Sequence, residues 1–331
     1  MKRRLTSSIG VLGTALLASA ISGTAARAED WPPPLPAHRL LLTSVFGASY
    51  NPEGAEEMVR FGDQMLLYRS DSDLFRDNYV FVGVNPRINP TSTRLGPAIE
   101  IQPLSVLNFR LNVEYVDYFG SLGTVQSFPS ALSDFSSATM GRNEAQGKNY
   151  GASGLRVSFT AFSQMKVGPV ALRDGFTLEY LSIDLRGPDR VFFEPAYDTV
   201  VPRHGKVITN DLDLFYLVDM PRGGFFRHGW IAAGVRYTML KPYFDSVDVR
   251  PGEDSATAAN DMHRVGPLVA FTLFDDGPST FHEPMIVAMA QWYAAHRNRT
   301  GRDVDQAIPY GVLAFIFQSD VWTSGRDGLS R

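Results

Sequence analysis

The sequence predicts an all-β chain folded as a closed antiparallel transmembrane β-barrel of about twelve strands, with both termini at one end. Three observations carry this expectation. Strand-like segments alternate apolar and polar residues with period two, the signature of a sheet with two unlike faces. In "VLNFRLNVEYVDYFG", Val106 to Gly120, one face takes Leu107, Phe109, Leu111, Val113 and Tyr115, and the other takes Asn108, Arg110, Asn112 and Glu114. Most of these segments reach the length of about 9–11 residues that a tilted strand needs to cross a bilayer. From the fifth segment onward, long polar connections also alternate with short ones, which places the long loops on one side of a barrel.

Taken in order, residues 1–28 read as an export signal peptide. Lys2, Arg3 and Arg4 precede the apolar run "IGVLGTALLASAIS", and "ARA" ending at Ala28 offers small residues for cleavage before Glu29. The run is too short and too rich in small residues for a spanning anchor. The leader takes four of the 31 basic residues and none of the 35 acidic ones, leaving 27 against 35, a net charge of −8. Such a balance argues against nucleic acid as a partner. The chain contains no cysteine, so an exported form must be held by hydrogen bonding and packing rather than disulfides.

After the leader comes a proline-rich periplasmic segment, 29–38, and then a barrel over 39–318. Strands are expected near 39–49, 58–69, 78–87, 94–102, 106–119, 150–163, 174–186, 206–219, 228–243, 263–274, 284–297 and 308–318, with a tail at 319–331. An even number of strands returns both termini to the periplasm. Tyr118, Phe119, Trp230, Tyr243, Phe244, Phe274, Trp292 and Tyr310 are expected in aromatic girdles at the strand ends.

Alternation also decides which face is inside. An arginine on the lipid face at the midplane costs about 2–4 kcal/mol, so the charged face must be the lumen. The lumen-lining residues are then Arg60, Arg94, Arg110, Arg156, Arg236 and Arg264, against Glu100, Glu114, Glu179, Asp211 and Asp213. A turn at "QPLS" sets Ile101 opposite Leu107, Ile99 opposite Phe109 and Arg94 opposite Glu114. In the hairpin 206–243, the same logic pairs Leu212 with Val235 and Asp211 with Arg236. The near balance of signs fits either a narrow, weakly selective pore or a salt-bridged plug.

The terminal strand "YGVLAFIFQ" resembles the aromatic-ended last strand of Gram-negative outer-membrane β-barrels, including porin-like proteins, although a short tail follows it. That resemblance is architectural and names no specific family. It implies the outer membrane as location, with outer-membrane lipids, the barrel-assembly machinery and small solutes as partners. The leading expectation is a porin-like channel for passive passage of small solutes. The alternatives are a closed structural or adhesive barrel acting through its extracellular loops, and an outer-membrane hydrolase.

The residues give little support to catalysis. None of the six histidines begins the His-x-Ser spacing of some barrel lipases. Asp261, Met262 and His263 match the Asp-x-His of omptin-like proteases, but Asp71 and Asp73 fall at the opposite end of the barrel. His263 and His296 are expected to face each other across a hairpin, without a clear third metal ligand. No phosphate loop appears, no cofactor or metal is expected, and no catalytic residue is assigned. The loop Gly120–Asn149 is the structural discriminator, because folded inward it constricts a pore and folded outward it presents a surface.

Overall fold

The computed structural model describes residues 35–220, 229–274, 279–299 and 308–324; the expected leader, its cleavage site and most of the tail lie outside them. β1 (His38–Tyr50) and β2 (Gly54–Leu66) are the first two staves. The third is built from β3 (Tyr79–Val84) and β4 (Arg87–Asn89), the fourth from β5 (Ser92–Leu95) and β6 (Pro97–Leu104), and the fifth is β7 (Leu107–Phe119). β8 (Ser127–Phe128) and the helix α1 (Ser137–Ala145) lie in the connection to β9 (Gly151–Val167) and β10 (Val170–Asp184). A hairpin of β11 (Val191–Glu194) and β12 (Thr199–Pro202) precedes β13 (His204–Asp219). β14 (Trp230–Pro242), β15 (Met262–Thr272), β16 (His282–Ala295) and β17 (Tyr310–Thr323) complete the sheet.

Every neighbouring pair is antiparallel, and β17 returns to β1 with Phe46 opposite Phe315, so twelve staves close into a barrel. The final strand continues to Thr323, past the expected end at 318. Third and fourth staves are each interrupted. Pro86 has no N–H for the ladder, and a Cβ on Gly96 would sit 1.8 Å from the Val113 carbonyl oxygen. Because direction alternates, the connections 120–150, 185–203, 243–261 and 296–309 gather at one end. Both described termini and the turns 105–106 and 168–169 lie at the other.

The faces are arranged inside out relative to a soluble sheet. Phe46, Leu111, Val235 and Leu313 are exposed on the outer wall, whereas Glu100, Arg156 and Asp213 are almost wholly buried within. Such a wall suits hydrocarbon. The interior is not uniformly polar, however. Val45, Phe215, Leu268, Met285, Val287, Val312 and Ile316 point inward and pack together on the side formed by β13–β17 and β1. Ion pairs share this side with the apolar residues, as Arg236–Asp213 between β14 and β13 and Arg39–Asp320 between β1 and β17 show. A filled interior can bury apolar side chains as any core does.

Aromatic placement corrects part of the expected girdles. Phe119, Tyr243 and Trp292 face outward, but Tyr118 and Tyr310 are buried inside and Trp230 packs against the inner apolar cluster. Tyr118 shares the phase of Glu114 and Val116, and Tyr310 that of Val312, so alternation carries both phenols inward. Phe244 packs against loop residues instead of the wall.

Register differs by two residues in both hairpins where it was expected. Ile99 faces Leu111 and Glu100 faces Arg110, while Arg94 faces Val116. Asp213, not Asp211, faces Arg236, and Leu212 faces Tyr237. In the first hairpin the turn closes at Ser105–Val106, with a bulge between Ile101 and Leu104 that accommodates Pro103.

The absence of native cysteine permits a direct check on the outer wall. In lipid vesicles, Leu111→Cys and Val235→Cys should resist a charged, water-soluble maleimide, while Val247→Cys in the connection 243–261 reacts readily. Fast labelling at Leu111→Cys would place that face in water.

Candidate functional site: a charged lumen beneath a folded cap

Ten of the eleven expected lumen residues are buried and the eleventh, Asp211, lines the chamber inside the barrel, and three ion-pair clusters hold most of them. In the first, Glu100 accepts Arg110 Nε at 2.7 Å, lies 2.9 Å from Arg60 Nη2, and takes a hydrogen bond from the Tyr79 hydroxyl. The Arg60 guanidinium stands 3.8 Å above the Phe81 ring. That ring lies against Gly62 and Gly83, where side chains would collide with it.

In the second cluster, Arg236 grips Asp213 through Nε at 2.6 Å and Nη2 at 2.7 Å, a bidentate geometry that lysine cannot make. Arg173 Nη2 reaches the same carboxylate at 3.1 Å. Asp211 accepts the Thr238 hydroxyl at 2.6 Å and lies 3.9 Å from Arg236. The third centres on Arg156, 2.6 Å from Glu179 and 3.0 Å from Glu194. Arg94 stands 3.7 Å from Glu194, and Glu114 pairs with Arg87 at 3.4 Å. Arg264 lies 3.9 Å over the Tyr310 ring, with no carboxylate within 4.0 Å among the described residues.

Glu194 belongs to no stave. The β11–β12 hairpin descends from the long-loop end, and its tip delivers Glu194 to Arg156 and the Tyr118 hydroxyl. Tyr197 donates to Glu179 at 2.8 Å. Asp198 takes Arg299 Nε at 2.7 Å and Nη2 at 2.8 Å, while His296 Nε2 donates to the Asp198 carbonyl at 2.7 Å. His296 Nδ1 accepts the Asn298 N–H at 3.1 Å, which fixes the neutral tautomer by its partners.

The connection 120–150 lies over this hairpin. β8 pairs with β11, and Ser136 caps α1 by accepting the Thr139 N–H. Asn260 Nδ2 donates to the Ala131 carbonyl at 2.9 Å, and Arg297 Nη2 to that of Leu132 at 2.7 Å, tying three connections together. Phe128, Phe135, Met140, Val191, Phe193 and Val200 form a buried apolar cluster within the cap. A second cluster, including Phe192, Val201, Leu181 and Ile183, joins the hairpin to the barrel wall. The connection 120–150 therefore packs against the 185–203 hairpin through a core of its own, while the hairpin tip reaches the lumen residues Arg156 and Glu179.

Several expectations need correction. His263 faces the outer wall, where its Nδ1 is 2.6 Å from the Tyr237 hydroxyl, whereas His296 points inward to Asp198. His263 pairs with Ala295, so the two imidazoles sit on opposite sides of the sheet and cannot share an ion. Asp261 pairs with Lys241 at 3.5 Å. The sequence reading missed Glu56 and Arg173, which alternation could have placed inside had β2 and β10 been started earlier. It also missed Glu194, Asp198 and Arg299, for which loops offer no periodic signal.

No family model matches the chain, and no curated protein matches it either. Among solved structures, the β domain of the Bordetella autotransporter BrkA aligns at 9% identity and TM-score 0.43, covering 86% of this chain and 99% of that one. The transport unit of the Escherichia coli autotransporter AIDA-I aligns at 8% identity and TM-score 0.37, over 94% and 95% of the two chains. The outer membrane protein OprD of Pseudomonas aeruginosa gives 8% identity and TM-score 0.26, over 86% and 93%.

Two outcomes follow from this geometry. Asp213→Asn removes the carboxylate that two buried guanidiniums share and should destabilise the barrel by about 3–5 kcal/mol in urea unfolding, more than Arg236→Met, which leaves Arg173 on the carboxylate. The second concerns acid. Burial depresses His296 below the ordinary 6.5, more than Asp198 raises it. The opened cap thus binds more protons below that value, and cap stability falls as pH drops. Burial opposes charge on Asp198, yet Arg299 and His296 hold its carboxyl below the usual range, so still stronger acid acts in the same direction. Limited proteolysis within 120–150 or 185–203 should quicken from pH 7.5 to pH 5. Equal rates would exclude His296 as a stabilising contact of this kind.

Proposed function

We propose that this chain is an outer-membrane β-barrel with a shut lumen, acting at the cell surface through its folded cap. The observation that carries this reading is the occupied interior. The β11–β12 hairpin fills the mouth, paired charges and inward apolar side chains fill the barrel below, and the chamber left beneath the hairpin measures about 90 Å³. Twelve staves lie between barrels filled by side chains and those that leave a channel, and this interior favours the filled state. The outer-membrane assignment is supported by the inside-out wall and the expected leader. The long-loop end is then extracellular, with both termini periplasmic.

The channel expected from the charged lumen is the competing reading, and it requires the hairpin to withdraw. Hydrolysis has one candidate pair: Ser182 Oγ and His204 Nδ1 lie 3.1 Å apart on the outer wall. Among the described residues no carboxylate hydrogen-bonds His204, so nothing there orients it as a general base requires. The adhesive or structural class therefore has the stronger support.

Planar-bilayer recording with purified, refolded protein tests the proposal. The wild type should show no conductance above the bilayer background. Arg299→Ala together with Asp198→Ala, which removes one anchor of the hairpin tip, should produce rare flickering openings. Stable unitary openings in the wild type would overturn the closed reading.

A further inference from the structure

The chamber at mid-height of the barrel carries a charge that its own lining does not balance. It is bounded by inward side chains from β2 round to β17, and from above by Ala196 and Tyr197 at the hairpin tip. Five arginines line it against three carboxylates. Arg94 Nε and Nη2, Arg110 Nη2 and Arg264 Nε are buried without a hydrogen-bond partner, and each of these side chains belongs to a residue more than nine-tenths buried. A guanidinium cannot shed its proton in a protein, so these donors stay charged and each needs an acceptor. Arg264 is the least compensated, since its closest partner is the face of Tyr310.

The chamber also holds acceptors that lack donors. Asn112 Oδ1 and Gln291 Oε1 are buried and unpartnered, on residues lining the same space. A ligand that satisfies both sets must present several negative oxygens and at least one O–H. Chloride offers no donor. Sulfate at neutral pH offers only acceptors. Hydrogen phosphate offers both, with oxygens for the three arginines and a P–OH for an amide oxygen. A volume of about 90 Å³ has room for one such ion and a few waters, and excludes a nucleotide or a lipid headgroup.

We propose that the mid-barrel chamber is a binding site for one inorganic phosphate, held by Arg94, Arg110 and Arg264. It stands on the chamber lining alone, whether or not the mouth above it is sealed, so bilayer conductance does not decide it. The ion is a structural ligand, accepting the buried N–H groups left without acceptors on Arg94 and Arg110, which Glu194 and Glu100 already pair, and on Arg264, which has no carboxylate partner among the described residues, and it favours the folded barrel by mass action.

The test is equilibrium dialysis of the refolded full chain against radiolabelled orthophosphate at constant ionic strength, so that screening is the same throughout. One phosphate should bind per folded chain, with sulfate competing at least tenfold more weakly and chloride not at all. Arg264→Gln should weaken phosphate at least tenfold while keeping the heat-modifiable mobility of the folded barrel on gels. Gln291→Met should narrow the preference for phosphate over sulfate. Should Arg264→Gln fail to fold, Arg94→Gln and the wild-type competition series decide. Phosphate bound well below one per chain would overturn the proposal, as would sulfate competing equally, or affinity unchanged in the arginine variants.

Discussion

A polypeptide crossing hydrocarbon has no water with which to pair its N–H and C=O groups, and that constraint governs the rest of this molecule. The ladder of β17 on β1 meets it by removing both sheet edges at once. Closure then makes the sidedness of every stave absolute, because the outer wall meets lipid and the inner wall does not. A residue's place is fixed by the parity of its position. Leu111 and Val235 go outward, and Arg110 and Arg236 go inward, whatever their individual preferences.

Turning charges inward creates the next problem. A twelve-stave interior is too wide for wall side chains alone and too narrow for their charges to remain well hydrated. The chain resolves this by lending acids from its loops. Glu194 completes Arg156, and Asp198 completes Arg299, so the same ion pairs that neutralise the lumen also anchor the cap. Buried pairs of this kind add little net stability relative to apolar packing, but breaking one strands a charge. They therefore act less as glue than as a lock on one arrangement. The apolar cluster around Phe215, Val287 and Ile316 supplies packing that the ion pairs cannot.

Cap and barrel are thus one structure. The apolar cluster around Phe128, Phe135 and Phe193 gives the loops a core of their own, while Phe192 and Val201 sink into the barrel wall's inner layer. The cap's weakest link is electrostatic: His296, neutral between the Asp198 carbonyl and the Asn298 amide, cannot accept a proton without losing a partner.

The strand segments and the sidedness of the sheet were legible in the sequence, because alternation has period two and a misplaced arginine in lipid is costly. Register was not legible. A slip of two residues leaves every side chain on its face, so the pattern cannot tell Asp211 from Asp213 as the partner of Arg236; only the pairing of the folded strands decides. Tyr118 and Tyr310 were legible by parity, which carries both inside, and their aromatic character pointed wrongly to a girdle. The cap was least legible, since loops carry no period. Only when the staves converge at the long-loop end do Glu194, Asp198 and His296 come within reach of their partners.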